Sequence, residues 1–288
     1  MDKVIGLGKV GCGIAEEFKV YPEYKIYKIG TDLESRGNFH THLIVEEQSN
    51  IQDYEDKFDT IDAEAYLGTI KSSDEVLFVV AGGDPISGIS LSLLEIIKKA
   101  KVTVLYVCPD RSVSSLLQKR DDKIVFNILQ EYARSGLFER LFLVERSRVE
   151  ELVGDVAIDK YEKSIYHFIS YIVAMTNYFD HTDAVLTNRT DPRKISRVGT
   201  FAVASLEKDE RKLLFPIEEE EYAHYYYGIP EVDLKEDSGL MGKIRRQNKN
   251  FAKEEVDSCY SVYSTTLDAP IVLCTFYSKR IQSLPSEA

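Results

Sequence analysis

The sequence lacks the features that mark membrane, secreted and metal-binding proteins. None of its apolar runs approaches the roughly 18 residues that a membrane-spanning helix needs. Met1 leads directly into a predicted strand, so no signal peptide is expected. Only four cysteines occur, without the spacing of a metal site, so we expect buried thiols in a reducing compartment, the cytoplasm. These are Cys12, Cys108, Cys259 and Cys274. Tryptophan is also absent, which excludes nothing.

The sequence has fewer basic than acidic residues. The 36 lysines and arginines are outnumbered by 48 acidic residues, which gives a formal net charge of −12. This balance argues against nucleic acid or an anionic membrane as the main partner. An anionic ligand would therefore have to be held by local backbone dipoles. The length of 288 residues and the 44% hydrophobic content are those of a soluble protein with one or two domains.

The stretch from 79 to 94 organises the chain. It follows a short apolar run, 76–80, typical of a buried parallel strand, and it leads into a helical pattern over 89–99. Glycines without side chains let an anion approach the backbone, and the N–H groups at a helix start point towards it. The turn is therefore either a phosphate cradle or a tight strand-to-helix turn without a ligand. Its small residues are Gly82, Gly83, Ser87, Gly88 and Ser90.

A second glycine-rich turn opens the chain. A strand over 3–7 is followed by glycines at positions 6, 8, 11 and 13, and a helix is predicted over 14–20. The next predicted strand, 24–29, ends shortly before Asp32. This arrangement fits a dinucleotide-binding fingerprint, because Asp32 lies about 20 residues beyond the glycines. Taken alone, it predicts an NAD-dependent oxidoreductase.

The order of elements predicts an α/β fold with two domains. Strands and helices alternate over 1–155, which indicates a Rossmann-like parallel sheet with right-handed crossovers. A long buried central helix follows over 156–178, and the composition of 179–288 indicates a smaller α+β domain. The last two strands, 258–265 and 270–277, are predicted to form an antiparallel pair.

Two further patterns have structural interpretations. His40 and His42 have the spacing of metal ligands on one side of a strand, but no third ligand is evident, so exposed loop histidines are expected and no metal site. The tyrosine-rich tract 222–227 is interpreted as a half-buried strand.

With these pieces placed, the chain resembles the tubulin/FtsZ family over nearly its whole length. The order and spacing of the motifs carry the resemblance. The stretch 8–14 is similar to the first nucleotide loop of that family, and 82–88 lies where the family has its GGGTGTG turn. The stretch 141–154 is similar to the strand and turn before the central helix, and 179–185 resembles the synergy loop after it. The part from 240 to 277 is similar to the last helix and strand pair of the FtsZ core.

The resemblance implies a cytoskeletal GTPase that binds GTP or GDP, with Mg²⁺ held through the nucleotide. Two groups of residues would contact the phosphates, and Asp32 would lie near the ribose or the third phosphate. The first group, on the α and β phosphates, is Gly11, Cys12 and Gly13, preceded by Gly8. The second group, on the other side of the phosphate chain, is Gly83, Ser87 and Gly88, preceded by Gly82.

The resemblance also implies that the partner is a second copy of the chain. In this family the synergy loop of the next subunit in a head-to-tail filament completes the site. Asp180 and Asp183, three positions apart, would be the catalytic carboxylates that polarise the attacking water. Without the resemblance, the same acids would be read as solvated residues in a turn after a helix.

The site departs from the family pattern at several positions. The signature turn carries Asp84, Pro85 and Ile86 where glycine or threonine is expected, and an acid beside a triphosphate is electrostatically unfavourable. The expected γ-phosphate loop has Gly68 as its sole glycine. Leu117 and Asp121 stand where the family has an acid and an arginine. Glu145 replaces an asparagine, and Tyr178 replaces a polar residue. These changes leave a second interpretation open, a tubulin-fold scaffold or assembly protein without GTP turnover.

Overall fold

The computed structural model describes residues 1–33, 42–208 and 210–285 of the chain. They form two compact units, Met1–Tyr171 with Ser283–Ala288, and Ile172–Gln282. The functional division predicted from the sequence, into 1–155, 156–178 and 179–288, stays a prediction. His40 of the predicted histidine pair lies outside the described residues.

The first unit contains the predicted parallel sheet. Its strands are β1 (Lys3–Leu7), β2 (Lys25–Gly30), β3 (His42–Ile44), β4 (Glu75–Ala81), β5 (Lys101–Cys108) and β6 (Arg140–Glu145). They pair in the order β3-β2-β1-β4-β5-β6, and each of these pairs is parallel. The direction of strand order reverses between β1 and β4, which makes the carboxyl ends of these two strands the expected ligand crevice of such a sheet.

The helices of the first unit begin close to the strands that precede them. They are α1 (Gly8–Glu17), α2 (Ile51–Asp56), α3 (Ala63–Leu67), α4 (Ser90–Ile97), α5 (Leu116–Ser135) and α6 (Arg146–Val153), and α7 (Tyr161–Asp180) runs across the limit between the units. Helix α5 is capped by Ser115, which forms a reciprocal capping box with Gln118.

Helix α1 starts earlier than the sequence predicts. The predicted start at Ile14 is wrong, because the helix begins at Gly8, directly after β1. The reason is a direct backbone contact. A Cβ on Gly6 would lie 2.3 Å from the Gly11 carbonyl oxygen, and a Cβ on Gly11 would lie 2.5 Å from that of Val79. Glycine at both positions lets α1 lie against the backbone of β1 and β4, so the glycine-rich segment is helix and not loop.

The second unit is a mixed sheet with two helices. Its strands are β7 (Leu186–Thr187), β8 (Val198–Ala204), β9 (Arg211–Leu213), β10 (Tyr222–Pro230), β11 (Asp257–Thr265) and β12 (Ile271–Ser278), and its helices are α8 (Glu231–Glu236) and α9 (Leu240–Phe251). The strands pair in the order β8-β12-β10-β11-β7, and β9 pairs with β8.

The predicted antiparallel pairing of the last two strands is wrong. Strand β10 lies between them, parallel to β11 and antiparallel to β12. All nine residues of β10 are buried, so the tyrosine tract is a fully buried central strand and not a half-buried one. A hairpin of β11 and β12 would leave one edge of this buried strand without partners for its N–H and C=O groups.

Several absences expected from the sequence can be examined in the described residues. All four cysteines are free and buried. None of the helices there is long and apolar enough to cross a membrane. Within the same residues, no group of three His, Cys, Asp or Glu side chains is placed to hold a metal ion.

Replacing Gly11 tests the backbone contact beneath α1. We expect Gly11→Ala to destabilise the protein by about 1–3 kcal/mol or more, because the new Cβ meets the immobile Val79 carbonyl. Gly242→Ala in α9 is the matched control. It opens onto empty space and should stabilise the protein by up to about 1 kcal/mol. Chemical denaturation measures both, and equal effects of the two variants would contradict this account of the α1 position.

The buried histidine of β10 predicts a pH dependence. His224 is 1% exposed and its Nε2 hydrogen-bonds Ser261 Oγ at 2.9 Å. Burial lowers its pKa from 6.5 to about 3. Between these values the unfolded chain binds a proton that the folded chain does not, so the free energy of unfolding should fall as pH falls below 6.5, by at most about 1.4 kcal/mol per pH unit.

Denaturant titrations between pH 7 and pH 5 check this dependence. His224→Gln should flatten the decline, because the variant has no imidazole to protonate. His167→Gln is the control, because the His167 side chain is 58% exposed. A slope unchanged in the His224 variant would show that other groups cause the decline.

Candidate functional site

A cleft of about 530 Å³ opens at the carboxyl edge of the parallel sheet, beside the start of α1. It brings together four residues that the sequence singled out from two separate motifs. Residues of α1, of β2 and of the turn after β2 line it, as expected for a ligand crevice in a parallel sheet. The four predicted residues are Gly8, Cys12, Gly13 and Asp32.

Charged side chains of both signs line the same cleft. Lys19 and Lys28 each form an ion pair with Glu16, whereas Lys9 is exposed and has no ion pair with a described residue. Asp32 is exposed as well. Sequence reasoning missed these lysines, although Lys9 lies inside the glycine motif and Lys28 is a half-buried charged residue in β2. The Lys9 ammonium group is therefore available to bind an anion in the cleft.

Cys12 cannot act through its side chain. The thiol is 5% exposed and donates to the carbonyl oxygens of Gly6 at 3.2 Å and Ile29 at 3.4 Å. Burial raises its pKa to about 12, so the sulfur stays protonated at neutral pH. Its contribution to a ligand is limited to its main chain.

Gly13 and Gly11 have packing reasons to be glycine. A Cβ on Gly13 would lie 2.4 Å from the ring of Tyr166, and Gly11 faces the Val79 carbonyl. Gly8 differs from both, because its φ of +71° is a backbone conformation that favours glycine. The motif therefore holds α1 close to the sheet at Gly11 and close to the Tyr166 ring at Gly13, and it turns the chain at Gly8.

The turn after β4 does not line the cleft. A Cβ on Gly82 would lie 2.1 Å from Asp122 Oδ1 and 2.2 Å from Tyr106 Oη. The Asp122 carboxylate is fully buried and accepts from Tyr106 Oη at 2.7 Å and from Arg111 Nη1 at 2.6 Å. Burial raises the pKa of Asp122, while these two donors oppose the rise. Gly82 is thus small because a buried polar cluster lies against it.

The remaining predicted residues of this turn are also enclosed by protein. Gly83 has a φ of +74°, and its position faces Gln118. A Cβ on Gly88 would lie 2.9 Å from the Ile51 carbonyl oxygen in α2. Ser87 is 1% exposed, and its Oγ has no hydrogen-bond partner among the described residues. The structure does not bring these residues into the cleft that contains Gly8 and Asp32.

The acidic turn at the end of α7 contains two carboxylates in different environments. Asp180, the last residue of the helix, accepts from Arg189 Nη1 at 2.8 Å and from Tyr226 Oη at 3.1 Å. Asp183 is exposed and has no hydrogen bond or ion pair with a described residue. Between them, Thr182 Oγ1 donates to the Tyr178 carbonyl at 2.8 Å. The turn is held in place and presents one free carboxylate.

Residues at the other expected contact positions have partners of their own. Glu145 accepts from Ser147 Oγ at 3.0 Å and from Arg148 Nε at 2.8 Å. Of the histidines near the predicted sites, His167 Nδ1 lies 3.2 Å from Glu17 and His181 Nδ1 lies 2.8 Å from the Asn177 carbonyl. Neither lines the cleft, whereas His42 does, and the expectation that His42 is an exposed loop residue is wrong because it is a half-buried residue of β3. The oxidoreductase interpretation thus gains no catalytic group from His167 and His181.

No protein-family model matches the chain, and no curated protein matches it. Solved structures do match. An FtsZ mutant of M. jannaschii is 14% identical with a TM-score of 0.72, over 96% of this chain and 90% of that one. A GTPγS-form protofilament of TubZ from Bacillus thuringiensis serovar israelensis is 12% identical with a TM-score of 0.69, over 95% and 87%.

CetZ2 from Haloferax volcanii, as a GTPγS-bound protofilament, is 13% identical with a TM-score of 0.67, over 96% of this chain and 92% of that one. At such identities the likeness establishes the fold. The protein has a tubulin/FtsZ-like α/β fold, as the resemblance of its motifs predicted.

The two acids of the turn should differ in their effect on stability. Asp180→Ala removes the acceptor of two donors and should cost about 1 kcal/mol, since the pair is partly exposed. Asp183→Ala is the matched control three residues away and should change the free energy of unfolding by less than about 0.5 kcal/mol. Denaturant titrations measure both values. A loss for Asp183→Ala as large as that for Asp180→Ala would contradict the assignment of Asp183 as a free group.

Proposed function

We propose that the protein is a tubulin-like cytoskeletal subunit that assembles head-to-tail, takes a guanine nucleotide in the cleft beside α1, and completes hydrolysis with Asp183 of the next subunit. The observation that carries the proposal is the acidic turn. Three of its residues have hydrogen bonds that fix their positions, and Asp183 alone projects without a partner among the described residues. A carboxylate held this way is suited to act on a neighbouring molecule.

The cleft supplies the other half of the proposed site. The start of α1 offers backbone N–H groups and the positive end of a helix dipole, which favour phosphate. The Lys9 ammonium would add a positive charge on a flexible side chain, and Asp32, which also lines the cleft, would accept from a ribose hydroxyl. Among the described residues that line the cleft, Asp32 is the one acid without an ion pair, and the water-orienting carboxylate is assigned to the next subunit.

In the proposed reaction, Asp183 of one subunit would orient a water molecule in line with the terminal phosphate bound by the next. Phosphoryl transfer depends chiefly on such positioning and on charge stabilisation by donors around the phosphate. The protofilament structures of TubZ and CetZ2 support the assembly part of this proposal by likeness of fold. The proposed location is the cytoplasm, where guanine nucleotides are available and buried thiols stay reduced.

A second candidate is a tubulin-fold assembly protein without nucleotide turnover. It is favoured by the turn after β4, where three successive residues offer no N–H to a phosphate. Pro85 has none, the Ile86 N–H donates to Asp84 Oδ1 at 3.3 Å, and the Ser87 N–H donates to the Asp84 carbonyl at 2.9 Å. Both candidates self-assemble, and they differ in whether GTP is consumed.

GTP hydrolysis at increasing protein concentration tests the proposal. The rate per subunit should rise with concentration, because each reaction centre needs two subunits. Asp183→Asn should lower this rate by about 100-fold or more while leaving nucleotide binding intact. Glu254→Gln, at an exposed acid after α9, is the control and should hydrolyse GTP at the normal rate.

Electron microscopy with and without GTP complements the rates. Filaments that need GTP support the proposed function. Filaments that form equally without nucleotide, from a protein that does not hydrolyse GTP, favour the second candidate. A constant rate per subunit, or full activity of Asp183→Asn, would overturn the shared reaction centre.

A further inference from the structure

The carboxylate of Asp84 lies at the starts of two helices. Its Oδ1 accepts from the Ile86 N–H at 3.3 Å, and the carboxylate lies near the backbone N–H of Lys9 in the first turn of α1, which acts to lower its pKa. Ile86 belongs to the first turn of a 3-10 helix, Pro85–Ile89, which precedes α4. One side chain therefore lies at two helix starts, where N–H groups would otherwise need water or a ligand.

Gly8 shows how closely this carboxylate approaches α1. A Cβ on Gly8 would lie 2.6 Å from Asp84 Oδ2 and 2.8 Å from Ile86 Cγ2. The space that the glycine leaves open beside the helix start is thus filled by the chain itself. Because β1 and β4 end on either side of the point where strand order reverses, Asp84 lies at the edge of the sheet where such folds bind ligands, next to the cleft that Gly8 lines.

The environment of Asp84 is that of a bound anion in a protein interior. The side chain is partly buried, and burial raises its pKa, while the Lys9 and Ile86 N–H groups oppose the rise. No ion pair joins it to a described lysine or arginine. Among the described residues, the groups that favour its charged form are backbone N–H groups, which are also the groups with which helix starts hold phosphate.

The same turn contains an unsatisfied group. Ser87 Oγ is buried without a hydrogen-bond partner among the described residues, and the Ser87 N–H is bonded to the Asp84 carbonyl. Buried hydroxyls without partners are rare in native structures. The Ile86 and Ser87 N–H groups of the turn therefore donate to Asp84, while the Ser87 hydroxyl has no partner among the described residues.

We propose that Asp84 is an internal anion that occupies the N-terminus of α1 in the free subunit, so that a phosphate group reaches this position only when Asp84 is displaced. A carboxylate and a phosphate cannot share the Lys9 N–H, and their like charges repel at this distance. The identity of the competing anion as a nucleotide phosphate rests on the proposed function. The occupancy of the helix start by Asp84 does not.

Calorimetric titration of the full chain with GTP, GDP and inorganic pyrophosphate tests the proposal. Asp84→Asn keeps the shape of the side chain without its charge, and Asp84→Gly removes the side chain, so one of the two remains informative if the other folds poorly. Each should bind pyrophosphate about tenfold or more tightly than the natural protein. Asp110→Asn is the matched control at the end of β5. There Asp110 caps its own turn, accepting from the Ser112 N–H at 2.9 Å, and the variant should bind like the natural protein.

The outcomes separate this inference from the proposed function. Equal affinity of the natural protein and both Asp84 variants, for GTP and for pyrophosphate, would overturn the role of Asp84. Tight GTP binding by the natural protein with no gain in the variants does the same but leaves the proposed function standing. A gain in pyrophosphate binding without any GTP binding supports the internal anion and removes GTP from the proposed function.

Discussion

The site depends on one contact between backbones. Gly6 and Gly11 have no side chains to keep α1 away from β1 and β4, so the helix lies on the sheet with its start at the edge where the two strands end. That position brings the N–H groups of the helix start, the end of β2 and the turn after β4 together. Larger residues at either position would displace the helix start, and the cleft beside it and the contact with Asp84 would be lost with it.

The two glycine-rich turns share a composition and differ in what their glycines contact. In the first, Gly8 turns the chain at a positive φ, beside a cleft open to solvent. In the second, Gly82 lies against the buried Asp122 carboxylate and Gly88 against α2. Absence of a side chain is the same signal in a sequence whether the space is reserved for a ligand or for another part of the protein. The glycines alone therefore do not identify a phosphate site.

Much of the fold could be predicted from local patterns. Alternating strand and helix patterns predicted the parallel sheet, and the glycine motif with the acid after the second strand predicted that Gly8 and Asp32 lie at one site. Contacts between distant segments could not be predicted this way. Strand β10 lies between β11 and β12, and all nine of its residues are buried by segments that are distant in the sequence. The approach of Asp84 to Gly8 at the start of α1 joins segments whose separation in the sequence gives no sign of it.

The buried cysteines can report on unfolding in a chain that has no tryptophan. With no indole to report on folding, intrinsic fluorescence must come from tyrosine, which responds weakly to its surroundings. The four thiols, however, are shielded throughout the folded chain, two in the first unit and two in the second. A thiol-reactive dye can therefore reach them only when the unit that contains them opens. The chain thus carries its own probes of local opening, and modification mapped by mass spectrometry would tell the two units apart.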